Sequence, residues 1–116
     1  MIGAIELPWP SRRLHPNART HWGTRSVASK KARLDARFAT MAAGLSSLDL
    51  ASLKATIVFH PPDNRRRDAD GVLSSCKAYL DGISDVIGVD DSQWQIAIRR
   101  EEPVKNGAVR VILEVV

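Results

Sequence analysis

The order of its strand-like and helix-like segments is what most restricts the folds open to this chain. Alternating apolar and polar residues predict strands at Ile2–Leu7 and Leu53–His60. Apolar residues spaced by threes and fours predict a helix from Ser26 to Gly44 and a second one from Asp70 to Ile87. The second helix carries the clearer apolar stripe, which is made of Leu73, Cys76, Leu80, Ile83 and Ile87.

Two more strand patterns, "QWQIAIRRE" and "GAVRVILEVV", complete the chain. They are joined through Asn106-Gly107, a pair typical of hairpin turns. The resulting order β-α-β-α-β-β indicates an α+β (α/β-like) fold with two helices against a small mixed sheet. One domain accounts for residues 1–116.

Composition excludes some classes of protein and favours others. No apolar run approaches the roughly 18 residues that a bilayer requires, so no membrane association is expected. The N-terminus lacks the pattern of a signal peptide, and the single cysteine, Cys76, excludes an intrachain disulfide. We therefore expect a protein of the reducing cytoplasm. The formal net charge of +4 suggests a polyanionic partner.

Four aspartates are the strongest candidates for metal ligands. Asp68 and Asp70 precede the second helix, and in an extended segment their side chains would point to the same side. Asp90 and Asp91 follow that helix in a separate loop. Carboxylates that converge from two loops form a hard oxygen site suited to Mg²⁺ or Mn²⁺. The alternatives are that Asp70 caps the helix and that Asp90 and Asp91 belong to a solvated turn.

Basic residues surround the first aspartate pair. Arg65, Arg66 and Arg67 come directly before it, and clustered guanidinium groups bind phosphate well, although they could also only neutralise the aspartates. Lys77 falls on the same helical face as Asp70, where it could meet a phosphate oxygen or pair with Asp81.

A second basic region covers the first loop and the first helix. Lys30, Arg33 and Arg37 form a stripe beside the apolar side of that helix, which carries Val27, Leu34, Phe38 and Met41. The preceding loop interleaves Trp9 and Trp22 with the arginines Arg12, Arg13, Arg19 and Arg25. Arginines near aromatic rings suit phosphate contacts and base stacking, whereas the helical stripe is also typical of a solvated face.

Other chemistries find little support. The histidines His15, His21 and His60 lack metal-ligand spacing, and Cys76 lies on an apolar stripe. Trp94 alternates with Ile96 and Ile98, which indicates a core position. Neither a serine-nucleophile motif nor a phosphate-binding glycine loop is present.

The combination of these motifs resembles the RusA-type Holliday junction resolvases, small endonucleases of phages and prophages. The resemblance is carried, in chain order, by "LPWP", the basic loop with Asn17, "RRRDAD", "KAYLDGI" and "VDDSQ". It extends over nearly the whole chain. It implies a homodimer that requires Mg²⁺ and makes paired nicks in opposing strands of four-way DNA junctions.

The resemblance also implies roles for individual residues. Asp68, Asp70 and Asp91 become catalytic metal ligands with Asp90 beside them, and Lys77 becomes the catalytic lysine. The implied DNA contacts are Asn17, Arg19, Arg25, Lys30, Arg33, Arg37 and Arg65–Arg67.

Two positions depart from the family pattern. An asparagine commonly follows the second aspartate, but this chain has Gly71. The family's lysine comes one helical turn after that aspartate, where this chain has Ser74, and Lys77 comes two turns after it. A resolvase relative that binds nucleic acid without cutting it is therefore the alternative hypothesis.

Overall fold

The computed structural model describes residues 1–19 and 21–116. Within these residues the chain forms a four-stranded sheet and three α-helices. The strands are β1 (Gly3–Pro8), β2 (Leu53–His60), β3 (Trp94–Arg100) and β4 (Ala108–Glu114), and the helices are α1 (Trp22–Ala42), α2 (Ala69–Ser75) and α3 (Lys77–Ile87). The predicted α+β class is confirmed.

The sheet is mixed, with the strand order β1-β4-β2-β3. β4 runs antiparallel to both β1 and β2, whereas β3 runs parallel to β2. Helices α2 and α3 connect β2 to β3, as a parallel pair requires. The acidic and basic segment after β2 therefore lies at the carboxyl end of a central strand.

The predicted hairpin at Asn106-Gly107 is wrong. Both residues do adopt positive φ, 66° and 69°, as in tight turns, but β3 and β4 lie on opposite sides of β2. Their connection crosses the end of β2, where the Glu101 N–H donates to the Phe59 carbonyl and the Val104 N–H to the Pro61 carbonyl. Local turn chemistry was read correctly, but strand pairing depends on the whole sheet.

Helix α1 begins four residues earlier than predicted. His21 takes the N-cap position, and its Nδ1 accepts a hydrogen bond of 3.1 Å from the Gly23 N–H. Histidine is not among the favoured N-cap residues, so this helix start was not recognisable from residue type. The helix ends at Ala42, and Gly44 follows with φ +80°, in agreement with its predicted role as a stop.

The second predicted helix is two helices that meet at Cys76. Cys76 has φ −93° and ψ 0°, and its N–H bonds to the Leu73 and Ser74 carbonyls, which tightens the last turn of α2. The Ser75 hydroxyl donates to the Gly71 carbonyl at 3.0 Å, a bond that often bends a helix. A single helical wheel across Asp70–Ile87 is therefore not valid.

The core lies between one face of the sheet and the helices. Its sheet residues are Ile5, Leu7, Leu53, Ala55, Ile57, Phe59, Val109, Val111 and Leu113. The predicted apolar stripe is confirmed, since Cys76, Leu80, Ile83 and Ile87 are buried and Leu73 packs against them. Trp94 is also buried, and its Nε1–H donates to the Val89 carbonyl at 3.0 Å.

Helix α1 packs through its small residues instead of its large ones. Ala32, Ala36 and Thr40 are buried, and α1 approaches α3 so closely that a Cβ on Gly82 would lie 2.3 Å from the Arg33 carbonyl oxygen. The large apolar residues of α1 are exposed: Val27 (68%), Leu34 (48%), Phe38 (60%) and Met41 (51%). A surface helix normally turns such a stripe inward, so this face is uncovered in the single chain.

None of the helices in the described ranges 1–19 and 21–116 is both long and apolar enough to cross a membrane.

Candidate functional site

Asp68 and Asp70 are positioned by the start of α2. Asp68 is the N-cap residue, with φ −79° and ψ 131°, whereas Asp70 already belongs to the helix. The segment is thus extended at Asp68 but helical at Asp70, and strand alternation does not place the two side chains on one side. The side chain of Asp68 makes no capping hydrogen bond, and the Asp70 Oδ1 accepts from the Gly71 N–H at 3.0 Å. Both carboxylates are on exposed residues.

The arginine run is anchored by Asp63, which is not among the predicted site residues. The Arg67 Nη2 lies 2.9 Å from Asp63 Oδ1, and the Arg65 Nε lies 3.7 Å from Asp63 Oδ2. The hydrogen bond from the Arg65 backbone N–H is the main reason that the pKa of Asp63 falls below its usual value, and Arg67 adds to the effect. Asp63 is therefore the counter-charge of this run.

Arg67 also has a packing role. Its guanidinium carbon lies 5.6 Å from the centroid of the Trp9 ring, a cation–π distance, and its side chain is only 21% exposed. Arg65 is 84% exposed, and Arg66 has no ion pair within the described residues. Two of the three arginines are thus available to an incoming anion.

A cavity of about 430 Å³ lies between the arginine run, the first loop and α2. Asp68 is its acidic residue, and the indole of Trp9 supplies an aromatic wall. The lining residues are Trp9, Pro10, Ser11, Arg12, His15, Arg65, Arg66, Arg67, Asp68, Val72 and Ser75. We call this space the arginine cavity.

A second cavity, of about 480 Å³, continues along the first loop. It shares Arg12 and His15 with the arginine cavity and adds Arg13, Asn17, Ala18 and Arg19. Asn17 and Arg19, both expected DNA contacts, are exposed here. The two cavities form a continuous basic surface from Arg65 to Arg19.

Lys77 belongs to a different cluster. Its Nζ lies 2.7 Å from Asp81 Oδ1 and 2.5 Å from Asp91 Oδ2. Desolvation is the largest single influence on the Lys77 pKa and lowers it, but the hydrogen bonds to Asp81 and Asp91 together outweigh desolvation and raise the pKa. The predicted pair with Asp81 is thus present, and Asp91 joins it.

A third cavity of about 390 Å³ adjoins this cluster, and its lining includes Leu73, Ser74, Lys77, Asp91 and Ile96. Ser74, the residue at the family's usual lysine position, therefore lies in the same cavity as Lys77. We call this space the lysine cavity.

Asp90 serves mainly to shape its turn. Its carboxylate accepts hydrogen bonds from the Ser92 hydroxyl and, at 3.1 Å, from the Ser92 N–H. These bonds, the hydroxyl first, lower the pKa of Asp90, and the charge of Lys77 contributes further. The turn interpretation that the sequence left open therefore describes Asp90, whereas Asp91 points to Lys77.

Helix α2 separates the two halves of the predicted site. Val72 and Ser75 line the arginine cavity together with Asp68, whereas Leu73 and Ser74 line the lysine cavity together with Asp91. In the part of the chain that the structure describes, no three His, Cys, Asp or Glu side chains come close enough to form a metal-binding group. The single chain thus presents the carboxylates as two subsites.

The chemistry of the donors still suits a hard divalent cation. Asp68 and Asp70 offer carboxylate oxygens, and neither has an ion pair with a described residue. Mg²⁺ commonly uses only one or two carboxylates and completes its shell with water and substrate phosphate. Asp68 and Asp70 would be the first ligands, since Lys77 already neutralises Asp91.

Most of the expected DNA contacts on α1 are engaged inside the molecule. Arg33 forms a bidentate pair with Asp85, both contacts being 2.7 Å, and the Arg37 Nε contacts the same carboxylate at 2.7 Å. The hydrogen bond from Arg33 is the main cause that lowers the pKa of Asp85 to about 2. Lys30 is exposed, and among the described residues it has no ion pair.

Arg25 acts as a clamp within the loop. Its Nη2 donates to the carbonyl oxygens of His15 (3.3 Å) and Ala18 (3.0 Å). The loop that carries Arg12, His15 and Arg19 is thereby tied to the first turns of α1. Sequence position alone does not distinguish an arginine that orders a loop, as Arg25 does, from one that contacts phosphate.

Asp63, Arg12 and His15 are residues of this region that the sequence-derived site did not include. Each was detectable only in part: Asp63 comes two residues before the arginine run, and Arg12 belongs to the basic loop. His15 lacks metal-ligand spacing, and no sequence pattern links it to Gly71, over which its ring lies.

The chain is 40% identical over 112 residues to an uncharacterized protein of Xylella fastidiosa (strain Temecula1), and the alignment covers 94% of this chain and 73% of the relative. The two proteins belong to one family. No family model matches the chain. The relative carries no described activity, so the likeness to RusA-type resolvases stays a prediction based on motifs.

Proposed function

We propose that the protein is a Mg²⁺-dependent endonuclease that resolves four-way DNA junctions, as the RusA-type motifs imply. The observation that carries the proposal is the arginine cavity, in which Asp68 lies beside Arg12, Arg65 and Arg66. Guanidinium groups favour the approach of a phosphate that carboxylates alone would repel. Arginines directly beside aspartates therefore suit an anionic substrate that must reach a metal site.

In this proposal Asp68 and Asp70 are the first metal ligands, and Asp91 acts from the second subsite together with Lys77. Asp90 shapes the turn that carries Asp91. Bound Mg²⁺, or Mn²⁺ in its place, would lower the pKa of a water and stabilise charge that develops on the phosphate. Lys77 is positively charged, and its carboxylate partners raise its pKa further, so a phosphate oxygen would contact it by displacing Asp81 or Asp91. The basic surface from Arg65 to Arg19 holds the DNA backbone without reading its sequence.

The active form is proposed to be a homodimer whose copies meet along α1. The exposed residues Leu34, Phe38 and Met41 are spaced by four and three, as in the seam of a coiled coil, and Val27 lies seven residues before Leu34. A two-fold interface uses the same surface on both copies, which one helix face supplies. Two copies also provide the two sites that paired nicks require. The bacterial cytoplasm is the expected compartment.

A dimer along α1 predicts a specific response to charge. Phe38→Asp should convert the protein from dimer to monomer in sedimentation equilibrium, whereas Lys105→Glu, in the exposed connection between β3 and β4, should leave the mass unchanged. A wild-type monomer at micromolar concentration would contradict the dimer. A dimer that resists Phe38→Asp would show that the copies meet elsewhere.

The alternative is a nucleic-acid-binding module without nuclease activity. The observation that favours it is the separation of Asp68 from Asp91 by α2, together with the lack of a three-residue metal-binding group in residues 1–19 and 21–116. Binding of nucleic acid requires only the basic surface from Arg65 to Arg19, and all of its residues come from one chain.

Cleavage of a labelled four-way junction in Mg²⁺ distinguishes the two functions. We expect paired nicks from the wild type and from Asp49→Asn, an exposed carboxylate between α1 and β2, but none from Asp68→Asn or Asp70→Asn. Tight binding by all four proteins without nicks, in Mg²⁺ or Mn²⁺, would support the binding module. Failure of the wild type to bind the junction would contradict both functions.

A further inference from the structure

The arginine cavity has two kinds of wall. Trp9, Pro10 and Val72 give it an apolar side, and Arg12, His15 and Arg66 give it a side rich in hydrogen-bond donors. Its volume of about 430 Å³ lies in the range of small-molecule sites. A double helix cannot enter a space of this size, but a single nucleotide fits it.

The aromatic wall is held in place from two directions. The ring of Trp9 meets Phe59 edge-on, with centroids 6.2 Å apart and an interplanar angle of 74°. The Arg67 guanidinium covers the ring at 5.6 Å and is itself fixed by Asp63. A preorganised indole and guanidinium pair offers flat surfaces to a base, and such surfaces accept any base.

His15 marks the opposite side of the cavity. Its Nδ1 accepts a hydrogen bond of 3.1 Å from the Asn17 N–H, so the proton of the neutral ring belongs on Nε2. A Cβ on Gly71 would lie 2.9 Å from that Nε2, which means that the imidazole occupies the space a side chain at position 71 would need. Arg25 fixes the His15 carbonyl from the other side. The ring therefore presents its Nε2–H as a donor over the first turn of α2.

We propose that the arginine cavity binds one unpaired nucleotide of the substrate strand. The base lies against the wall formed by Trp9 and Arg67, and its phosphate accepts hydrogen bonds from His15 Nε2 and the neighbouring arginines. This inference rests on the proposed nucleic-acid function and narrows its substrate to branched DNA with an unpaired or extruded nucleotide beside the acidic residue Asp68. Extrusion costs least for a base that has already lost part of its pairing or stacking, and a branch point interrupts the continuous stacking of the helices.

Ligand titrations of the wild-type protein test the pocket without any cleavage. Deoxycytidine 5′-monophosphate, deoxyribose 5-phosphate and inorganic phosphate are added in turn while the three indole N–H signals are followed by NMR. We expect the nucleotide to bind about tenfold more tightly than deoxyribose 5-phosphate because of stacking. The Trp9 signal should move, and the buried Trp94 signal should not. Equal affinity for all three ligands would overturn the base site, since only a general anion site would remain.

Two variants separate the phosphate contact of His15 from the base contact of Trp9. His15→Ala should weaken nucleotide and deoxyribose 5-phosphate alike, whereas His60→Ala, at the end of β2 and outside this cavity, should weaken neither. Trp9→Leu should remove the tenfold preference for the nucleotide, with circular dichroism confirming the fold. If Trp9→Leu does not fold, the ligand comparison in the wild type tests the base site and His15→Ala tests the phosphate contact. Unchanged affinity in His15→Ala would overturn the phosphate contact.

The outcome is distinguishable from that of the nuclease proposal. Junction cleavage without nucleotide binding would overturn the pocket and leave the nuclease standing. Nucleotide binding that depends on Trp9, in a protein that never nicks a junction, would support the pocket and contradict the nuclease.

Discussion

Two groups of arginines in this molecule look alike in sequence but have different surroundings. Arg33 and Arg37 of α1 share the carboxylate of Asp85 on α3, at 2.7 Å each. Arg65 and Arg66 project from the loop before α2, where Asp63 lies 3.7 Å from Arg65 and Arg66 has no ion pair with a described residue. The first group joins two helices, whereas the second borders a cavity that also holds Asp68.

The difference shows what makes a basic residue available to a nucleic acid. An arginine that already has a bidentate carboxylate gains little from a phosphate, because it must first give up its partner. An arginine without such a partner has no equivalent loss. We therefore propose that the loop arginines, together with Arg12 and Arg19, contact the DNA, whereas Arg33 and Arg37 pair two helices.

The largest effect is expected where α1 and α3 touch. Gly82→Ala should destabilise the fold by about 2 kcal/mol, because its new Cβ would lie 2.3 Å from the Arg33 carbonyl oxygen and 2.8 Å from the Ala36 Cβ. Backbone cannot move aside as a flexible side chain can. Urea unfolding followed by circular dichroism measures the change.

Gly71→Ala is the matched control for this substitution. Gly71 is also a helical glycine, but the atom that its Cβ would meet is the end of the His15 side chain, at 2.9 Å. We expect a loss of less than half that of Gly82→Ala. Equal losses at the two positions would mean that the close contact of α1 with α3 is not what requires glycine.

The second prediction tests the loop arginines directly. Arg65→Ala combined with Arg66→Ala should raise the junction dissociation constant about tenfold or more and reduce the salt slope by about 1–2, since each lost phosphate contact contributes about 0.9. Gel-shift titrations at several salt concentrations give both quantities. Arg67 is left intact because it packs on Trp9.

Arg33→Ala combined with Arg37→Ala provides the comparison. It removes the same formal charge, so a general loss of positive charge would weaken binding as much as the loop variant does. We expect most of the affinity to remain. If the two double variants bind equally poorly, the distinction between the two arginine groups is wrong.

The sequence predicted the elements of the fold better than their pairing. The apolar stripe from Cys76 to Ile87 was recognisable because it repeats with the period of a helix. Trp94 is buried as predicted, but Ile96 and Ile98, with which it alternates in β3, are 40% and 39% exposed. The prediction of a hairpin at Asn106-Gly107 was wrong because the same kind of turn can occur in a connection that crosses the end of another strand. The break at Cys76 depends on hydrogen bonds of Ser75 that no periodicity reveals.

The candidate site was predictable by residue type but not by arrangement. Acidic and basic residues near α2 were identified, yet their division between two cavities depends on which side of a seven-residue helix each one faces. The partners of Arg33, Arg37 and Arg67 lie on other turns or elements. Such pairs are set by packing, which a linear pattern does not contain.

The smallest predicted effect concerns the charge of Asp85. Its pKa is lowered to about 2 from an ordinary value of 3.8, so its ion pairs stabilise the fold above pH 3.8 and lose that contribution as the pH falls toward 2. Asp85→Asn should reduce stability at pH 7 by about 0.5–1 kcal/mol, because its arginine partners are nearly half exposed. The difference in free energy of unfolding between wild type and variant, measured with urea, should then shrink toward zero between pH 4 and pH 2.

Asp49→Asn is the control, since it removes an exposed carboxylate without an ion pair in the described residues. Its difference from the wild type should not change over this pH range. A difference for Asp85→Asn that stays constant down to pH 2 would mean that Asp85 acts through packing and that its ion pairs with Arg33 and Arg37 contribute little to stability.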